Sequence, residues 1–167
     1  AKAARNLELL QAELQACPED EYLHYQCGKS HFSVQHYQTA ATSLQAAISA
    51  IDWREAAAPR GLEGPVPRKI LTDLLTTLAY TLVNLDRPQE ALALLEKHAA
   101  LAHPGTQRAD FAHTLGYVQL ILGHLDAARK AFAQSLEWGR GAEDVLGTGS
   151  HLSHYHLGLI AEAEDNL

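Results

Sequence analysis

The stretch of sequence that decides the fold lies at residues 112–132 and reads AHTLGYVQLILGHLDAARKAF. A small residue, Gly116, precedes Ala128 by twelve positions, and Ala128 precedes the bulky Phe132 by four. A turn at Gly123 separates two stretches in which apolar residues recur at helical spacing. The pattern predicts two antiparallel helices that are joined by a short turn and cross closely where their residues are small.

The same residue types recur twice upstream at the same spacing. The two copies are Gly28, Ala40 and Leu44, then Ala79, Ala91 and Leu95. A fourth copy begins at His151 and stops at Leu167, about where its second helix should start, so we expect a truncated repeat. Because one such hairpin cannot bury its own apolar face, the copies are expected to stack into a continuous core.

These spacings resemble those of the tetratricopeptide repeat (TPR), in which a second small residue follows the bulky one three positions later. Ala47 fits that last position, whereas His98 and Ser135 depart from it. The resemblance covers roughly residues 3–167. It implies an all-α fold, a right-handed superhelical array of helix-turn-helix hairpins, in which the first helix of each hairpin lines a concave groove.

We predict a single TPR-like domain over residues 1–167 that begins with a leading helix at 4–16. The repeats are expected at about 21–52, 72–103 and 109–138, with a partial repeat at 151–167. The individual helices are predicted at 21–34, 37–51, 68–85, 88–102, 106–122, 125–138 and 151–164. Two segments rich in glycine or proline, at 56–67 and 139–150, are predicted to be exposed, mobile loops between repeats.

Composition limits the partners and the compartment. The formal net charge of -7 disfavours a nucleic-acid partner, and no apolar stretch is long enough to predict a membrane span. Two cysteines, Cys17 and Cys27, are too few for a disulfide framework, so we expect reduced thiols in a cytoplasmic protein. Because the chain contains no Met, we also expect it to be a segment of a longer protein.

The sequence shows no catalytic constellation, so we predict no enzymatic activity and no cofactor. The densest histidines, His151, His154 and His156, have no Cys pair, His-Glu-x-x-His motif or ligand-spaced carboxylate beside them, which favours solvated side chains over a metal site. The glycine-rich segments at 139–141 and 147–150 carry no P-loop lysine, and flexible linkers are the favoured interpretation.

The groove that the resemblance implies would bind a protein or peptide. Its predicted residues are Tyr22, Tyr25, Lys29, Phe32, Asp73, Thr76, Tyr80, Asn84, Asp110, His113, Tyr117, Leu120, Leu152 and Tyr155. The set holds five of the six tyrosines, which suits recognition, although packing between neighbouring first helices explains them equally well. Lys29 is the sole cation of the set, so a clamp for a peptide carboxylate is not evident.

A second resemblance concerns the parent protein. Residues 5–10 (RNLELL) and 17–22 (CPEDEY), with 147–150 (GTGS) and 155–158 (YHLG), resemble the repeat region that follows the catalytic domain of bacterial family-2 glycosyltransferases. This implies an accessory domain that positions the acceptor, as an alternative to a general interaction module; a metal-binding protein is a third hypothesis. An apolar face at Leu152, Leu157 and Leu159 further predicts self-association.

Overall fold

The computed structural model describes residues 2–51, 68–99, 108–139 and 145–165, and the chain divides into two compact units. Unit 1 comprises Ala1–Asp86 and unit 2 comprises Arg87–Leu167. The helices of the described residues are α1 (Lys2–Ala16), α2 (Glu21–Ser33), α3 (Tyr37–Ala50), α4 (Arg68–Asn84), α5 (Pro88–Lys97), α6 (Arg108–Ile121), α7 (Leu125–Trp138) and α8 (His151–Asp165).

Unit 1 is built around the α2–α3 hairpin. Asp20 caps α2, because its Oδ1 accepts a hydrogen bond of 2.8 Å from the backbone N–H of Leu23. A Cβ on Gly28 would lie 2.4 Å from Leu44 Cγ, so the small residue lets Leu44 of α3 fill the crossing. The leading helix α1 packs on α2, and α4 packs on both α2 and α3.

Unit 2 repeats this design in the α6–α7 hairpin. A Cβ on Gly116 would lie 2.9 Å from Phe132 Cε1, and the fully buried Phe132 fills the same crossing as Leu44 does in unit 1. Helix α8 completes the core through Ile160, which is fully buried with Phe132 and Ala128. Helix α5 also packs on α6.

The predicted helices and the predicted all-α fold class are confirmed in the described residues, and most helix ends agree within two residues. The prediction that one helix extends from 88 to 102 is wrong, because α5 ends at Lys97. The backbone N–H of His98 bonds to Leu95 O there, and a turn follows. The predicted loop at 56–67 lies outside the described residues.

The structure also locates the other features that the sequence singled out. Cys17 is exposed and Cys27 is buried in the unit 1 core, and neither is part of a disulfide. None of the described helices combines the length and the apolar character that crossing a bilayer requires. Of the predicted apolar face, Leu157 is partly buried and packs against the core of unit 2, whereas Leu159 is exposed.

Candidate functional site

In unit 1 three predicted groove residues meet between α2 and α4. Tyr25 Oη donates a hydrogen bond of 2.5 Å to Asp73 Oδ2, and Lys29 Nζ lies 2.8 Å from the same oxygen. Lys29 Nζ also lies 5.4 Å from the centre of the Tyr25 ring, within range of a cation–π interaction. We call these three residues the Tyr25 cluster. Because both donors converge on one carboxylate oxygen, the cluster holds its side chains in a defined arrangement.

The Tyr25 cluster lies at the surface. The Tyr25 ring is buried, but the side chains of Lys29 and Asp73 are 43% and 30% exposed. Tyr22 stands beside the cluster, with its ring centre 6.1 Å from that of Tyr25 and 45% of the residue exposed. The α2 side of unit 1 therefore presents an accessible aromatic ring next to an ordered ion pair.

The remaining predicted groove residues of unit 1 have mainly local contacts. Thr76 is buried and donates to Asp73 O, and Asn84 is exposed and donates to the carbonyl of the half-buried Tyr80. Phe32 packs edge-on against Tyr37 of α3 at 5.8 Å. None of these contacts involves a side chain of the Tyr25 cluster, and the role of these residues in binding stays a prediction.

In unit 2 the residue that corresponds to Asp73 is buried. Asp110 Oδ1 accepts hydrogen bonds from Thr148 Oγ1 at 2.7 Å and from the backbone N–H of Val145 at 3.1 Å. Residues 147–149 are buried. The prediction that these residues are exposed is therefore wrong, because a carboxylate of α6 binds the segment that precedes α8.

Two serine hydroxyls also form hydrogen bonds with the segment that precedes α8. The carbonyl of Thr148 accepts from Ser135 Oγ at 2.8 Å and from Ser153 Oγ at 2.5 Å. Ser135 Oγ also lies 2.8 Å from Ala109 O, so it links α6, α7 and the segment before α8. We call Asp110, Ser135, Thr148 and Ser153 the Thr148 anchor.

His113 completes the polar interior of unit 2. Its Nδ1 lies 2.9 Å from Ser153 Oγ, whose single proton is directed at Thr148 O, so the Nδ1 of His113 carries the donated proton. Burial, and then the neighbouring His156, lower the pKa of His113 to about 4. His113 is therefore neutral near pH 7, and this arrangement stabilises the fold without offering a charged group to a ligand.

The other predicted groove residues of unit 2 divide between core and surface. Leu120 packs on the Phe132 core, and Tyr117 lies half-buried with its ring centre 5.9 Å from that of His156. The carbonyl of the half-buried Leu152 accepts from His156 Nδ1 at 2.8 Å. Tyr155 is the exposed member at 62%.

The residues of the metal hypothesis are dispersed in the structure. His151 and His154 are exposed, whereas the His156 ring stacks on Phe132 with 5.0 Å between ring centres. Among the described residues, no three His, Cys, Asp or Glu side chains gather around a point that could hold an ion. The described part of the chain thus gives the metal hypothesis no support.

Comparison with known proteins identifies the fold. No protein-family model matches the chain, and no curated protein sequence matches it. A similar solved structure is the crystal structure of YrrB, described as "a TPR protein with an unusual peptide-binding site". The two chains superimpose with a TM-score of 0.68 over 99% of this chain and 71% of YrrB, at 21% sequence identity. The chain has the tetratricopeptide-repeat fold. Nothing in this likeness connects the TPR fold to a glycosyltransferase.

The TPR pattern accounts for the hairpins but not for the Thr148 anchor, which the sequence analysis missed. One signal was present in the sequence, because Ser135 stands where the TPR pattern has a small residue that packs without hydrogen bonding. Its hydroxyl is the group that reaches Thr148 O. A polar departure at a buried repeat position is therefore an indication of a structural hydrogen-bond network.

Proposed function

We propose that this TPR chain is a non-catalytic interaction module that binds a peptide segment of a partner protein on the first-helix face of unit 1. The observation that carries the proposal is the Tyr25 cluster, an ordered and accessible ion pair with the exposed ring of Tyr22 beside it. The likeness to YrrB, whose description names a peptide-binding site, supports the same class of ligand.

The side chains of this face indicate which groups of a peptide they would contact. Lys29 is nearly half exposed and its ammonium has three donors, so it can donate a hydrogen bond to a peptide carbonyl or carboxylate while its contact with Asp73 persists. Tyr22 offers a flat ring for an apolar or proline side chain. Because the Asp73 contacts already order Tyr25 and Lys29, binding loses little further side-chain entropy.

A peptide selection tests the proposal. A random peptide library is selected against the whole chain, and the enriched peptides are synthesised and measured by titration calorimetry. We expect Tyr22→Ala and Lys29→Ala each to weaken binding about tenfold. Lys130→Ala and Tyr155→Ala, which remove the same residue types at exposed positions of unit 2, should leave the affinity unchanged. Failure to enrich any peptide, or equal losses in both pairs of variants, would contradict the proposal.

The role as an accessory domain of a bacterial family-2 glycosyltransferase stays a prediction that rests on the motifs at 5–10 and 17–22. Sequencing the reading frame on both sides of residues 1–167 decides it. A nucleotide-sugar-binding domain encoded before Ala1 would favour acceptor positioning. Further repeats, or a start codon alone, would leave the general interaction module as the better interpretation.

A further inference from the structure

The Tyr25 cluster leaves one acceptor and several donors available to a ligand. The contacts of the Asp73 carboxylate with Tyr25 Oη and with Lys29 Nζ both end on Oδ2. Oδ1 of the same carboxylate has no hydrogen-bond partner among the described residues. The Lys29 ammonium has three donors, and Asp73 is its one ion-pair partner in the described part of the chain. A free acceptor and free donors therefore lie side by side between α2 and α4.

The charges of this pair select against an ionised ligand group. Because Lys29 Nζ and Asp73 Oδ2 are 2.8 Å apart, a ligand group that reaches one charge also lies near the other. A carboxylate attracted by Lys29 is repelled by Asp73, and an ammonium attracted by Asp73 is repelled by Lys29. A neutral group that both accepts and donates satisfies the two residues without this repulsion.

An amide is such a group, because its carbonyl oxygen accepts and its N–H donates. A peptide carries amides both in its main chain and in the side chains of Asn and Gln. A main-chain amide has a Cα on either side, which limits how closely it approaches a partly buried carboxylate. The carboxamide of Asn or Gln stands at the end of a flexible side chain. Because Asp73 is the less exposed member of the ion pair, the side-chain amide fits better.

We infer that the Tyr25 cluster is a specificity subsite for the side-chain carboxamide of a Gln or Asn residue in the bound peptide. The carboxamide oxygen accepts a hydrogen bond from Lys29 Nζ, and the carboxamide nitrogen donates one to Asp73 Oδ1. The contact between Lys29 and Asp73 Oδ2 persists in the complex. The inference rests on the peptide binding proposed above, and it adds the residue type that the peptide must carry.

The peptides that are selected against the whole chain supply the probe. We expect them to share one Gln or Asn. In the tightest binder this residue is replaced by its acidic counterpart, Glu or Asp, and separately by an apolar residue of similar size, Met or Leu. Titration calorimetry should show each form to bind about tenfold more weakly, because the acidic form faces the Asp73 carboxylate and the apolar form leaves both polar groups unpaired.

The variant Asp73→Asn tests whether Asp73 sets this preference. Asn has the same shape but lacks the charge that repels an acidic peptide, and its amide can donate to a carboxylate. We expect the preference for the carboxamide peptide over the acidic peptide to fall at least tenfold. Glu90→Gln removes the same charge from the exposed Arg87–Glu90 ion pair of unit 2 and should leave the preference unchanged. A purely structural role of Asp73 would weaken both peptides equally and would contradict the inference.

Three further results separate this inference from the proposed function. Peptides that depend on Tyr22 and Lys29 but share no Gln or Asn would overturn the inference and leave the proposed function standing. The same holds if N-methylation of the peptide main chain abolishes binding while the Gln or Asn is freely replaceable, because Lys29 and Asp73 would then bind a main-chain amide. If no peptide is enriched, the proposed function fails and the inference fails with it.

Discussion

Asp73 and Asp110 occupy the same position in successive repeats but have opposite surroundings. Asp73 of unit 1 is partly exposed and orders Tyr25 and Lys29 at the surface. Asp110 of unit 2 is buried and binds Thr148 and the backbone of Val145. Asp73 thus orders side chains at the surface of unit 1. Asp110 instead binds the segment that precedes α8 to α6.

The difference shows how a repeat can keep its helices and change its role. The hairpin crossings at Gly28 and Gly116 follow one design in both units. What differs is the segment before α8, whose residues 147–149 are buried against α6 and α7 through the Thr148 anchor. We therefore expect peptide binding to depend on Asp73, and the free energy of unfolding to depend more strongly on Asp110.

The largest expected effect is that of Asp110→Ala, which removes a buried carboxylate and leaves Thr148 Oγ1 and the Val145 N–H without this acceptor. We expect a loss of about 3 kcal/mol in the free energy of unfolding. Asp73→Ala should cost about 1 kcal/mol or less, because its ion pair is partly exposed. Urea titrations in a Trp53→Phe background, where Trp138 is the remaining tryptophan, compare the two. Equal losses would remove the distinction between the acids.

Acid should weaken unit 2 through His113. Its pKa is about 4 in the folded protein, against 6.5 for an exposed histidine, so between these values the unfolded chain binds more protons. The stability contributed by the neutral ring is therefore present above about pH 6.5 and is lost as the pH falls towards 4, by up to about 3 kcal/mol.

The variant that isolates this effect is His113→Asn, which keeps a donor for Ser153 Oγ but cannot titrate. We expect its stability to fall less steeply than that of the wild type between pH 7 and pH 4.5 in urea titrations. His154→Asn, at an exposed position of α8, is the matched control and should leave the slope unchanged. The same slope in the wild type and His113→Asn would assign the acid sensitivity to other groups.

The α2–α3 and α6–α7 hairpins should lose similar stability when a larger residue replaces the glycine at the crossing. Equal losses would mean that the two units differ in the surroundings of α2 and α6 and not in the packing of the hairpins. Gly28→Ala and Gly116→Ala place a Cβ within 3 Å of buried side chains, and we expect each to cost about 2 kcal/mol. A Cβ on Gly158 meets no atom of the described residues within 4 Å, so Gly158→Ala should stabilise the chain by about 0.5–1 kcal/mol, because alanine is the better helix former. Thermal unfolding by circular dichroism tests all three. A destabilised Gly158→Ala would show that α8 is covered.

The smallest expected effect on stability is that of Lys29→Ala. The ion pair with Asp73 is nearly half exposed on the lysine side, so we expect a loss of about 0.5 kcal/mol, together with the tenfold loss of peptide affinity. Tyr25 remains bonded to Asp73 in this variant and serves as the internal control for the geometry of the cluster. A loss of several kcal/mol would make Lys29 a structural residue instead.

The sequence predicts those parts of the molecule that depend on local spacing. Helix ends and the close crossings at Gly28 and Gly116 follow from apolar periodicity and from residues sixteen positions apart. The Thr148 anchor could not be predicted in this way, because Asp110 and Thr148 are 38 positions apart and meet through side chains alone. Among the predicted groove residues, Tyr22 and the Tyr25 cluster lie together, whereas Asp110 and His113 are buried. The role of these residues in binding stays a prediction.

The most direct test of the central claim, that unit 1 offers the binding face and unit 2 does not, is amide chemical-shift mapping of the whole chain with a selected peptide. We predict the largest shifts at Tyr22, Lys29 and Asp73, and small shifts at His113 and Thr148. Shifts concentrated at His113, Thr148 and Tyr155, with residues 22–29 unaffected, would contradict the claim and place the binding site in unit 2.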